Sequence, residues 1–138
     1  FCGHSLGAAM AVIMSSRCLH LEDVPNPEEL YTFGCPRVGW PKYCNSLGVT
    51  HHRWVNNNDV VTRVPLTIMG YRHHGTEHYL NTWGNIRKVH GWQRTKDRFR
   101  GMWRGIKQGK IDNFSDHGID QYEIHIKKAA EGMETLQS

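Results

Sequence analysis

Phe1-Cys2-Gly3-His4-Ser5-Leu6-Gly7-Ala8-Ala9 opens the chain, and its reading decides how everything after it is placed. Its centre, Gly3-His4-Ser5-Leu6-Gly7, fits the G-x-S-x-G pattern of a nucleophile elbow, in which a strand ends, the chain turns sharply and a helix begins. A serine at such a turn is pushed out above the edge of a sheet. The turn brings backbone close to its neighbours, so a Cβ two residues either side of the serine is expected to clash, which accounts for Gly3 and Gly7. Ala8 and Ala9 extend the run of small residues and let the helix start lie against the sheet. Leu6, Ala9, Met10, Val12, Ile13 and Met14 make the next segment apolar on most of its surface, which predicts a buried helix. The pattern alone is short enough to recur by chance, so the rest of the chain must supply a base and an acid.

The 138 residues suffice for one domain with a modest core, and the composition is globular. The net charge of +4 is mild but uneven: residues 87–110 hold nine of the seventeen Lys and Arg against a single acid, Asp97. Cys2, Cys18, Cys35 and Cys44 lack the paired spacing of a zinc or disulfide framework and read as small buried hydrophobes. There is no transmembrane run and no internal repeat. A nucleophile elbow needs an apolar strand before its first glycine, and only Phe1 and Cys2 stand there. A sheet of this kind does not begin at a central strand, so residues 1–138 are expected to be the C-terminal portion of a single larger domain. An export signal is not readable from this start, and cytoplasm is favoured over secretion.

Leu21 to Glu29 is a polar loop with two prolines. Leu30-Tyr31-Thr32-Phe33 reads as a buried strand, Cys35 to Gly39 as a tight loop, and Trp40 to Leu47 as a short helix. His52 to Asn56 is the next strand. It runs into Asn57-Asn58-Asp59, at the strand end where open α/β sheets bind ligands. Tyr71–His74 and His78–Asn81 flank a Gly75-Thr76-Glu77 turn and predict a hairpin. Phe99, Met102, Trp103 and Ile106 recur at helical spacing, giving an amphipathic helix over 95–108 with a basic outer face. Asp112 to Gly118 is a polar loop, and Ile119, Tyr122, Ile126 and Ala130 mark a last helix. The alternation of strands and helices predicts an α/β class, with a mostly parallel sheet flanked by helices.

A serine hydroxyl is a weak nucleophile and needs a base, itself held by a third group. In α/β hydrolases the chain order is Ser, then Asp or Glu, then His. Of ten histidines, His4 is too near Ser5 in sequence to face its hydroxyl. His51, His52, His73, His74 and His78 sit in or beside strands, and His125 lies within a helix. His117, in a polar loop before the last helix, is the preferred base, with His90 as the fallback. Asp59, at a strand's C-terminal end, is the preferred acid over Asp112, Asp116 and Asp120.

With these residues placed, the chain resembles the class 3 (fungal-type) lipase family, as a bacterial member. Four blocks carry the resemblance: Gly3 to Ala9; Tyr31 to Gly39; Asn56 to Val61 with Pro65; and Asp116-His117. The resemblance implies an α/β-hydrolase fold and hydrolysis of carboxylic esters, typically acylglycerols, with phospholipase and simple esterase as variants. It makes Ser5 the nucleophile, Asp59 the acid and His117 the base. The backbone N–H of Leu6 becomes one oxyanion-hole donor. It implies no metal and no cofactor. The lid and second donor are expected upstream. Losing one donor typically costs roughly 10²–10³ in rate, so residues 1–138 alone are expected to be nearly inactive. Ala8, Trp40 and Gly118 depart from the family's usual residues, and none is a triad member.

Three other readings compete. A non-catalytic binding protein could keep this fold. Metal binding through His51-His52, His73-His74 and His78 is disfavoured, because adjacent residues of a strand face opposite ways. The basic 87–110 segment, with Trp83, Trp92 and Trp103, fits nucleic acid less well than a solvated face or a helix resting on anionic lipid. The partners expected are therefore a lipid or small ester and a lipid surface, with no nucleic acid and no specific protein partner.

Overall fold

The structure, a computed structural model, describes residues 1–56, 59–80, 86–87 and 117–134. The predicted amphipathic helix over 95–108, the fallback His90 and the alternatives Asp112 and Asp116 lie outside the described residues. The chain divides into two compact units, Phe1–Val55 with Val61–His78, and Asn56–Val60 with Tyr79–Ser138.

In the first unit a short strand β1 (Cys2–His4) leads through Ser5 into helix α1 (Leu6–Cys18). Strand β2 (Glu29–Phe33), helix α2 (Pro41–Ser46) and strand β3 (Thr50–Asn56) follow. β1 pairs parallel with β2, Gly3 opposite Thr32, and β2 pairs parallel with β3, Leu30 opposite His51. Strand β4 (Thr76–Leu80) is next in the sheet. Parallel neighbours need a crossover, and α1 supplies it between β1 and β2.

α1 meets the sheet through Ala8, Ala11, Val12, Ser15 and Cys18, all buried and spaced at helical intervals. Small side chains let helix and sheet approach closely. The core joins Ala8, Ala11 and Val12 to Leu30, Cys35, Leu47 and Val49, with Val38 and Tyr43 packed against it. The opposite face of α1 is not buried among the described residues: Leu6, Met10, Ile13 and Met14 are exposed. That corrects the expectation of a helix covered on most of its surface, since only the small-residue stripe meets the sheet. Cys18, Cys35 and Cys44 are buried as expected, but Cys2 is exposed.

β2 alternates as a half-buried strand should, with Leu30 and Thr32 inward and Glu29 and Tyr31 outward. β3 does the same with polar side chains, burying His51 and Arg53 beside Val55. Arg53 Nη2 forms an ion pair with Glu77 at 2.8 Å. The histidines separate by face as strand geometry requires. His51 bonds Thr32 Oγ1 at 2.8 Å and His74 at 3.2 Å, whereas His52 bonds His78 at 3.0 Å. The hairpin expected around Gly75-Thr76-Glu77 does not form. Gly75, at φ 82°, packs against β3, where an added Cβ would meet the His51 carbonyl oxygen at 2.5 Å. Of the four residues before it, Arg72 forms an isolated β-bridge with Gly39.

In the second unit the end of β4 pairs antiparallel with β5 (Ile86–Arg87), Tyr79 opposite Arg87 and Leu80 opposite Ile86. The last element is helix α3 (Ile119–Glu134). Its buried face is Tyr122, His125 and Ala129, not the predicted Ile119, Tyr122, Ile126 and Ala130; Ile119 is 49% exposed. Two of the residues that decide this face are polar, so apolar spacing alone misplaces it. No described helix is long and apolar enough to cross a membrane.

Candidate active site

Ser5 sits between β1 and α1 with φ 56° and ψ −126°, the one non-glycine residue at positive φ among those described. An L-residue held there costs of the order of 1–3 kcal/mol and persists only where surrounding structure over-determines it. The surroundings do so. The Ser5 N–H donates to the Phe33 carbonyl at 3.0 Å, and its carbonyl accepts from Ala8 N–H at 3.1 Å. The elbow closes tightly around Gly3, where a Cβ would lie 2.5 Å from the Gly7 carbonyl oxygen and 2.8 Å from Ala8 Cα. Gly7 is different: a Cβ built there meets nothing within 4 Å. The close approach is made by Gly7's backbone against Gly3, so only one of the two flanking glycines is sterically required. Leu6 is the first residue of α1, and the opening N–H groups of a helix have no intrahelical acceptor and lie at its positive end.

In the second unit Asp59 and His117 meet. His117 Nδ1 lies 3.0 Å from each carboxylate oxygen of Asp59, across 58 residues of sequence. The Asp59 side chain is wholly buried and that of His117 is 15% exposed. Asp59 follows β3 by a turn, its N–H donating to the Asn56 carbonyl at 3.1 Å, while His117 immediately precedes α3. With Nδ1–H given to the carboxylate, Nε2 keeps its lone pair and can accept a proton. Asp120, the remaining alternative acid, is exposed on α3.

Three further residues, which no spacing in the sequence ties to Asp59 or His117, complete this cluster. The Tyr122 hydroxyl donates to Asp59 Oδ2 at 2.6 Å and accepts the Asn56 N–H at 3.0 Å. His125 Nδ1–H donates to the Asn56 side-chain oxygen at 2.8 Å. Tyr122, Asn56 and His125 are buried, so these bonds are shielded from water. The only signal available in sequence was a tyrosine and a histidine three residues apart on a helix whose apolar stripe is weak.

In the first unit Arg37 braces the chain that follows Asp59. Its guanidinium donates to the carbonyls of Arg63 and of Pro65, the latter at 2.8 Å, and its N–H donates to the Val64 carbonyl at 2.8 Å. Nearby, His73 bonds the Thr62 carbonyl at 2.7 Å. Burial, then the Arg53 charge, pushes His73 down to about 3, and burial with neighbouring His74 and Arg53 does the same to His51. Burial raises the Cys35 thiol to about 11, so it is no ready nucleophile. Among the described residues no three His, Cys, Asp or Glu side chains gather to hold a metal ion.

A mostly parallel sheet, a crossover helix beginning at a strained serine, and a carboxylate–imidazole pair at a strand end define an α/β hydrolase. Residues 1–69 match the family model described as lipase (class 3), and the chain belongs to that family. It is 36% identical over 83 residues to a lipase of Rhizomucor miehei, an alignment covering 56% of this chain and 23% of that protein. It is 39% identical over 71 residues to toxin TseL of Vibrio cholerae, covering 49% of this chain and 11% of that protein. A solved structure described as a triacylglycerol lipase with a serine protease triad at its catalytic centre superposes with TM-score 0.52 at 35% identity. That match covers 57% of this chain and 32% of that one. The chain spans about a quarter of the length of the first curated relatives it matches.

Proposed function

We propose that the protein carrying this chain hydrolyses carboxylic esters of lipids through an acyl-enzyme formed on Ser5, as the C-terminal portion of a larger α/β-hydrolase domain. In this reading His117 Nε2 takes the Ser5 hydroxyl proton as Oγ attacks the ester carbonyl. Asp59 holds the imidazole by its Nδ1–H and stabilises the imidazolium. The Leu6 N–H donates to the tetrahedral oxyanion. His117 then gives its proton to the departing alcohol, and water repeats the sequence on the acyl-enzyme, releasing a carboxylic acid and restoring the serine. No step calls for a metal or cofactor.

The observation that supports this most is the Asp59–His117 pair, with Nδ1 at 3.0 Å from the carboxylate and Tyr122 bracing the acid from behind. Relatives named as lipase and as secreted mono- and diacylglycerol lipase support an acylglycerol substrate. The test is the whole protein that carries residues 1–138, and its Ser5→Ala variant, assayed on a soluble short-chain ester and labelled with a fluorophosphonate. The wild type labels and turns over; the variant loses labelling and at least about 10³ in rate. Turnover by Ser5→Ala close to wild type, or a wild type that neither labels nor hydrolyses, sinks the proposal; the second outcome points to a non-catalytic binding protein.

A further inference from the structure

Asn56, the last residue of β3, begins the turn that carries Asp59, and it is held from three directions. Its carbonyl accepts the Asp59 N–H at 3.1 Å, its N–H donates to the Tyr122 hydroxyl at 3.0 Å, and its side-chain oxygen accepts from His125 Nδ1 at 2.8 Å. Asn56 is 0% exposed and His125 9%. A buried amide and a buried imidazole each cost free energy unless they are bonded. Once bonded in a dry interior, they fix one another's orientation.

Helix α3 supplies the other side of the arrangement. His117 stands just ahead of it, and the Gly118 carbonyl accepts the N–H groups of Gln121 at 3.1 Å and Tyr122 at 3.4 Å, so the chain enters the helical ladder directly after the imidazole. Tyr122 and His125, three residues apart, share one face of that helix. A single helix therefore carries the base at its head and, further along, two side chains that hold the turn bearing the acid.

The two holds differ. Tyr122 bonds the carboxylate itself, whereas His125 reaches the acid through Asn56. With the Asn56 side chain released, rotation of its peptide planes tilts its N–H and its carbonyl together. One of these meets the Tyr122 hydroxyl and the other the Asp59 N–H, so the carboxylate is carried along. A reacting group misplaced by roughly 1 Å can cost about a hundredfold in rate.

We propose that His125 is a positioning residue: by fixing the Asn56 side chain it sets the turn that carries Asp59, and so keeps the carboxylate in register with His117 at the head of the same helix. Its effect on turnover rests on the lipid-ester reading, whereas its effect on the Asp59–His117 hydrogen bond does not.

The test uses the whole protein that carries residues 1–138. His125→Leu deletes the donor at similar volume, and His125→Asn keeps an N–H donor near the place of Nδ1. Asn56→Ala removes the same bond from its other end, which keeps the question answerable if His125→Leu does not fold. Two readouts are taken below each variant's unfolding midpoint: the low-field proton resonance of the His117 Nδ1–H, assigned by its loss in Asp59→Ala, and kcat and KM on a soluble short-chain ester. In His125→Leu and Asn56→Ala the resonance moves upfield or broadens, and kcat falls about tenfold while KM stays within about twofold. His125→Asn keeps the resonance and holds kcat within about threefold of wild type. Folded His125→Leu or Asn56→Ala with the wild-type resonance and kcat overturns the proposal, because the bond then serves stability alone. So does a loss in His125→Asn equal to that in His125→Leu, a raised KM at unchanged kcat, or a wild type without the resonance. A resonance that depends on residue 125 in a protein with no ester turnover leaves the positioning intact and overturns the catalytic reading.

Discussion

Tyr122 gives its hydroxyl hydrogen to Asp59 Oδ2 at 2.6 Å and takes the Asn56 backbone N–H at 3.0 Å, so one side chain ties the end of β3, the carboxylate and helix α3 into one hydrogen-bonded chain. A carboxylate fastened on one side by Tyr122 presents its remaining acceptors to His117 in a fixed direction. Asn56 and His125 extend the same chain to the next turn of α3.

Tyr122→Phe removes both bonds and leaves the Asn56 N–H and one lone pair of Asp59 buried without that partner. Stability is expected to fall by about 1–3 kcal/mol, read from urea unfolding. If the catalytic reading holds, kcat on a soluble ester falls about tenfold while KM changes little, because orientation of the acid, not binding, is lost. An unchanged kcat would assign Tyr122 to the fold alone.

The two glycines of the elbow are expected to respond oppositely. Gly3→Ala places a methyl 2.5 Å from the Gly7 carbonyl oxygen and should destabilise by about 1–3 kcal/mol. Gly7→Ala meets nothing within 4 Å and lies in the first turn of α1, so it should be neutral or stabilise by up to about 1 kcal/mol. Thermal unfolding of the two variants side by side decides; equal losses would contradict the geometry.

Acid should unfold the first unit through its buried histidines. His51 and His73 are pushed down to about 3 when folded, against about 6.5 in an unfolded chain. Between those values the unfolded chain binds more protons, so stability is fully present above about pH 6.5 and is lost as pH falls toward 3. Each ring contributes up to about 1.4 kcal/mol per pH unit in that window, so the two together give a slope of up to about 2.7. Denaturant midpoints measured from pH 8 to 4 should drop below 6.5, and less steeply in His51→Gln. A flat profile would mean these rings are solvated.

Arg37→Met keeps much of the side chain's volume and deletes its bonds to the Arg63 and Pro65 carbonyls. The loss should be about 2–3 kcal/mol, and Arg37→Lys should recover only part, since an ammonium cannot reproduce the planar two-carbonyl fork. Unfolding of both variants measures it; full rescue by lysine would show that charge alone matters there.

Local chemistry made much of this protein legible from its residues. The elbow follows from small residues around Ser5, β2 from a short apolar run ending at Gly34, and α2 from the loop before it. Each is decided by neighbours a few positions apart, where sterics and periodicity act directly. The hairpin expected at Gly75 failed for the complementary reason: its turn glycine serves a contact with β3, which local sequence does not record.

The residues alone carried the class of fold, the family and a serine at a sharp turn between small neighbours. They also singled out Asp59 and His117, by chain order and resemblance. Folding in three dimensions set their side chains 3.0 Å apart, placed Tyr122, Asn56 and His125 behind them, kept Gly3 but not Gly7 from carrying a Cβ, and buried His51 and Arg53 on β3. The physical reason is range. A turn or an amphipathic stripe is written in adjacent residues, whereas hydrogen bonds joining residues 58 to 69 positions apart leave no periodic trace and exist only once the backbone has folded back on itself.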